Sequence, residues 1–114
     1  MFKWIKGRQQ SGYDKMLLAT AKFPIPFDCY LLRFPEGSEI DTHTDPVDQG
    51  KRHFRLNIVL KHANVGGEFV ADDSIVNWSR VKLFRPDITP HSVTRVERGT
   101  RYVLSVGWLR KEVA

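Results

Sequence analysis

The chain has 114 residues and a mass of 13.2 kDa, with 41% hydrophobic and 27% charged residues, a formal net charge of +5 and a pI near 9.6. Compact domains typically hold roughly 100–150 residues, so residues 1–114 are expected to form one domain, and a two-domain enzyme is excluded. The single cysteine, Cys29, excludes an internal disulfide and a cluster of thiolate ligands. No run approaches the roughly 20 apolar residues of a membrane span, and the first residues lack the apolar stretch of a signal peptide. The expected setting is therefore soluble, intracellular and cytoplasmic, with no membrane partner.

Residues 1–26 read as irregular, because Gly7, Gly12, Pro24 and Pro26 interrupt any long element, with at most two helical turns over Tyr13–Ala21. From Phe27 onward, short β-branched and aromatic segments alternate with turn residues. The candidate strands are Phe27–Phe34, Glu39–His43, His53–Lys61, Glu68–Ala71, Ile75–Trp78, Val81–Phe84, His91–Val96 and Arg101–Leu109. Eight strands of this spacing predict an all-β jelly roll preceded by a short irregular or helical segment. Aromatic residues at strand spacing, Phe69, Trp78, Phe84, Tyr102 and Trp108, are expected in the core, as is Cys29. With so short an N-terminal segment, the larger sheet needs cover from Phe2, Trp4 and Ile5 or from a second subunit, which makes a homo-oligomer a candidate state.

In His43-Thr44-Asp45 the outer residues lie two apart, so on an extended segment both side chains point to one face. His91, opening a later strand, supplies a third ligand. Two histidines and one carboxylate with open positions form the facial triad of non-haem Fe(II) oxygenases. Arg101, ten residues after His91, starts a strand that the turn at Gly99 folds back beside it. A guanidinium is a rigid fork suited to gripping a carboxylate. On the strand from His53 to Leu60, His53, Arg55 and Asn57 share one face.

These residues fall into a family-like order. Arg33-Phe-Pro-Glu-Gly37, five residues, then His43-x-Asp45 resembles the entry strand of the prolyl hydroxylase-like 2-oxoglutarate (2OG) and Fe(II)-dependent dioxygenases. Gly66-Gly67-Glu68-Phe69, Leu83-Phe84-Arg85-Pro86, His91-Ser-Val93, Val96-x-x-Gly99-x-Arg101-Tyr102 and Gly107-Trp108 continue the resemblance across residues 30–109. It implies a double-stranded β-helix with Fe(II) held by His43, Asp45 and His91, and the distal carboxylate of 2OG paired with Arg101. The strand carrying Arg55 and Asn57 is similar to the Arg-x-His strand of aspartyl/asparaginyl hydroxylase relatives. That likeness implies contact with the metal-proximal carboxylate, against a solvent-facing alternative.

The implied activity is hydroxylation of an unidentified substrate, a peptide side chain, an amino acid or a nucleobase, with dioxygen as oxidant and 2OG decarboxylated to succinate. The alternative is a non-catalytic cupin-like module that binds a metal and a small acid. The positive charge is compatible with nucleic acid, but no basic arm or base-flipping lid supports that partner. Arg52, Arg55 and Arg95 are expected to make the cavity mouth basic.

Overall fold

The structure is a computed structural model and describes residues 2–7 and 11–111. Among them are twelve strands and no helix: β1 (Ile5–Lys6), β2 (Asp14–Ala21), β3 (Phe27–Phe34), β4 (Ile40–His43), β5 (Lys51–Lys61), β6 (Val65–Gly66), β7 (Phe69–Ala71), β8 (Val76–Asn77), β9 (Val81–Phe84), β10 (His91–Val93), β11 (Val96–Arg98) and β12 (Arg101–Lys111). The large sheet runs β1-β2-β3-β12-β5-β9-β8; the smaller sheets are β4-β10-β7 and β11-β6. All pairings are antiparallel, giving the expected all-β jelly roll.

The expected helical turns over residues 13–21 are absent. Asp14–Ala21 is a strand that pairs with β3 from Asp14↔Arg33 to Ala21↔Phe27. The run Met16-Leu17-Leu18-Ala19 has good helix propensity, but a neighbouring strand edge supplies hydrogen bonds that no short helix could match. The ion pair between Asp14 Oδ2 and Arg33, 2.9 Å, fixes the start of that register. The expected strand over 91–96 is instead two, β10 and β11, which belong to different small sheets.

Alternation along β12 shows how the layers are built. Arg101, Val103, Ser105 and Gly107 are buried, whereas Tyr102, Leu104, Val106 and Trp108 are half-exposed. The first set faces the small sheets and joins Phe34, Val59, Val93 and Val96 in the core, with Leu32, Ile40 and Phe69 packed around it. Tyr13 stacks on Phe34 with ring centroids 5.0 Å apart, so the residue that leads into β2 contributes to this core as well. Burying a side chain such as Phe34 contributes about 2–3 kcal/mol. Trp78 is not in the core: it is 68% exposed near the edge strand β8. Gly66 has a φ of +76°, and a Cβ there would overlap the Arg95 carbonyl, which explains glycine where β6 meets the β10–β11 connection.

Candidate metal centre

β4 and β10 are adjacent and antiparallel, and His43 pairs directly with His91. Their rings lie 4.4 Å apart between centroids. Asp45, two residues beyond His43, donates its N–H to the Pro86 carbonyl at 2.7 Å. This brings its carboxylate to both histidines, with Oδ1 3.4 Å from His43 Nε2 and Oδ2 3.4 Å from His91 Nε2. The ligand atoms of the three residues all lie within 4.8 Å of one another. His91 is buried, packed on Phe84 at 5.0 Å and Phe69 at 6.2 Å between centroids.

The outer nitrogens set the chemistry of the inner ones. His43 Nδ1 lies 2.7 Å from the Asp41 carbonyl and His91 Nδ1 lies 2.9 Å from the Thr89 carbonyl. A carbonyl only accepts, so each Nδ1 carries the proton, and in the neutral imidazole each Nε2 presents a lone pair to the carboxylate. Lone pairs converging on an anion repel unless a cation sits among them. The donor set therefore fits a divalent first-row metal, whose ligands lie about 2.0–2.2 Å from the ion, and the carbonyl partners are the usual outer support of such histidines.

The turn after β9 organises two of the three ligands. Pro86 holds the Asp45 backbone, Thr89 holds the His91 ring, and the Thr89 N–H donates to the Arg85 carbonyl at 2.8 Å. Within this turn Arg85 Nη2 pairs with Asp87 Oδ2 at 2.6 Å. Burial alone would raise the Asp87 pKa. The hydrogen bond and charge of Arg85, with the main-chain N–H groups of Asp87 and His53, outweigh it and hold the carboxyl below its usual 3.8.

A group depressed in this way contributes stability above its unfolded value and loses that contribution as pH falls through its folded value. The thermal midpoint of the native protein should therefore exceed that of Asp87→Asn at neutral pH, and the two should converge below about pH 4. A pH-independent gap measured by circular dichroism down to about pH 2 would contradict this role.

A cavity of about 310 Å³ opens beside the triad, and Arg55, Asn57 and Arg101 line it together with His43, Asp45 and His91. Arg101 is 3% exposed, and burial lowers its pKa to about 10, so it remains cationic at neutral pH. Its guanidinium lies 5.3 Å from the centre of the Phe34 ring, and no carboxylate among the described residues pairs with it. Arg55 differs. It donates to Asp28 Oδ1 and to Ser105 Oγ, each at 2.7 Å, and Ser105 Oγ donates to Asn57 Oδ1 at 2.6 Å. Arg55 and Asn57 thus face inward rather than to solvent, in a chain that neutralises Arg55 before any ligand arrives.

His53 also lines the cavity, outside the triad. Burial, then the Arg55 charge, lowers its pKa, which favours the neutral ring. Of the arginines expected at the mouth, Arg52 and Arg95 do not line the cavity. Arg52 stacks toward Phe54 at 5.6 Å and borders a separate groove beside Pro24 and Leu109, while Arg95 is exposed near Gly37. The sequence does not single out Tyr13, Lys15 and Tyr30, which line the cavity from the approach to β2, from β2 and from β3 respectively. Alternation of Tyr13, Lys15 and Leu17 was the available signal.

No protein-family model matches the chain, and no curated protein matches it in sequence. Its fold is similar to that of KdgF from Halomonas sp., with 18% identity, a TM-score of 0.61, and coverage of 96% of this chain and 88% of that one. It is likewise similar to the viral collagen prolyl hydroxylase of Paramecium Bursaria Chlorella virus-1, solved as a 2OG complex, at 15% identity and a TM-score of 0.63, covering 90% and 81%. An RmlC-like cupin protein from Desulfovibrio desulfuricans aligns at 21% identity and a TM-score of 0.54, covering 91% and 87%. This chain has the cupin-type jelly-roll fold. At these identities the likeness extends to architecture alone, which hosts enzymes and binding proteins alike.

Proposed function

We propose that this cupin-fold protein is a 2OG- and Fe(II)-dependent dioxygenase that hydroxylates a substrate while 2OG is decarboxylated to succinate. The observation that carries the reading is Arg101: a buried cation with no acidic partner among the described residues, lining the cavity that also holds His43, Asp45 and His91. A buried charge left unpaired is costly, and a dicarboxylate reaching from the metal to this guanidinium relieves that cost. The architecture shared with a prolyl hydroxylase solved as its 2OG complex supports the same reading.

His43, Asp45 and His91 would hold the metal, which when bound supplies dioxygen activation and a Lewis-acidic site for the 2-oxo acid. Arg101 orients the distal carboxylate through charge-assisted hydrogen bonds. The Asp28–Arg55–Ser105–Asn57 chain keeps the inner wall polar and fixed, and Phe34, Phe69 and Phe84 exclude water from the remainder. His43 and His91 keep their Nδ1 protons on main-chain carbonyls, so Nε2 stays available.

A charge-assisted pair in a partly dry pocket contributes about 1.5–3 kcal/mol, or roughly one to two decades in affinity. Arg101→Ala should therefore weaken 2OG binding by about tenfold to hundredfold while metal affinity stays nearly unchanged. Calorimetric titration of 2OG into the metal-loaded protein measures this, and an unchanged 2OG affinity would refute the assignment. A non-catalytic module binding a metal and a small acid would share the triad but leave 2OG intact under dioxygen.

A further inference from the structure

We propose that the outer face of the large sheet is an interface between two copies of this chain. The central row of that face, read from the strand register, is Cys29–Val106–Leu56–Leu83. On one side lies Leu31–Leu104–Ile58, and on the other Phe27–Trp108–Phe54. None of these ten side chains is charged, and every one is half-exposed or exposed, whereas their inward neighbours on β12 are buried. Beyond the rows the surface turns polar, with Asp14 and Arg33 at one end and Arg52 and Arg110 at the other. A contiguous apolar patch rimmed by polar groups is the signature of an association surface.

The described N-terminal residues do not cover it. β1 extends the sheet edge by pairing with β2, and Phe2 and Ile5 are 61% and 51% exposed. Trp4 stacks over the Arg33 guanidinium at 4.1 Å, which places it at the polar rim. A second copy suits the face for two reasons. Its neutral centre lets two chains of net charge +5 meet with their cations at the periphery. The rows continue on β2 through Met16, Ala19 and Ala21, on β9 through Val81 and on β8 through Val76. Three rows at a same-face spacing of roughly 6.7 Å, across about five strands at ~4.8 Å, therefore offer about 500 Å² per copy, and a pair buries roughly 1,000 Å² before the rim is counted. That meets the lower bound for a specific interface. Aligned stacking of two sheets about a two-fold axis buries both faces at once and seats Phe27, Phe54 and Trp108 as aromatic anchors.

Sedimentation velocity of the full chain at tens of micromolar should give twice the 13.2 kDa chain mass. Val106→Asp, at the centre of the patch and pointing away from the cavity, should raise the dimer dissociation constant on the order of a hundredfold or more, with metal binding unchanged. If that variant fails to fold, the native chain still decides. A species of single-chain mass, or a dimer that persists unweakened in folded Val106→Asp, would overturn the proposal and leave this face to another occupant.

Discussion

Replacing His91 with Ala should weaken Fe(II) binding by at least about a hundredfold, because one of three protein ligands and its carbonyl-fixed orientation disappear together. The ring is also a packing element between Phe69 and Phe84, so the alanine variant loses some stability as well. His91→Phe separates the two effects: it keeps a ring of similar size in the apolar slot while offering no donor. Anaerobic calorimetry with Fe(II) should show both variants unable to bind tightly, and thermal unfolding should show the phenylalanine variant closer to native stability. Native Fe(II) affinity in folded His91→Phe would exclude His91 as a ligand.

Gly107→Ala should be nearly as damaging through a different route. Gly107 pairs with Arg55 across β12 and β5 and with Asp28 across β12 and β3. A Cβ at this position would overlap the Arg55 guanidinium. The arginine can leave only by giving up Asp28 and Ser105, which strands a carboxylate and breaks the chain that ends on Asn57. Loss of a charged hydrogen-bonded pair in a half-buried site costs about 1.5–3 kcal/mol. Thermal unfolding should show the midpoint lowered by roughly 10 °C for a chain of this size. The same variant should bind 2OG more weakly, because the cavity wall is no longer fixed. A variant of native stability would mean that Arg55 has another resting place.

Much of this architecture is written in short-range patterns. The spacing of His43 and Asp45 anticipated their convergence, although the structure reaches it differently: β4 ends at His43, and the Pro86 carbonyl, rather than a continuing strand, brings Asp45 back. The turn at Gly99 anticipated Arg101 in the cavity, but by another route. β12 does not lie beside the His91 strand; it sits between β3 and β5 in the large sheet, and Arg101 reaches the triad's cavity from the opposite layer. The N-terminal strand escaped because its assignment depends on an edge of β3 that no local window contains, and with it went Lys15 and Tyr13. Arg55 shows the same limit. Its face was legible from period two, but its partner Asp28 is 27 residues away, so its neutralisation belongs to the tertiary fold. Trp78 misled because aromatic composition alone does not distinguish a core strand from an edge.

The decisive measurement is succinate formation by the purified chain reconstituted anaerobically with Fe(II), supplied with 2OG and then exposed to dioxygen. A dioxygenase built on His43, Asp45, His91 and Arg101 should release succinate slowly even without its substrate, and Arg101→Ala should do so only at much higher 2OG concentration. A protein that binds Fe(II) tightly through the triad yet returns 2OG intact, with no succinate above the metal-only control, would contradict the dioxygenase assignment and leave a metal-binding cupin.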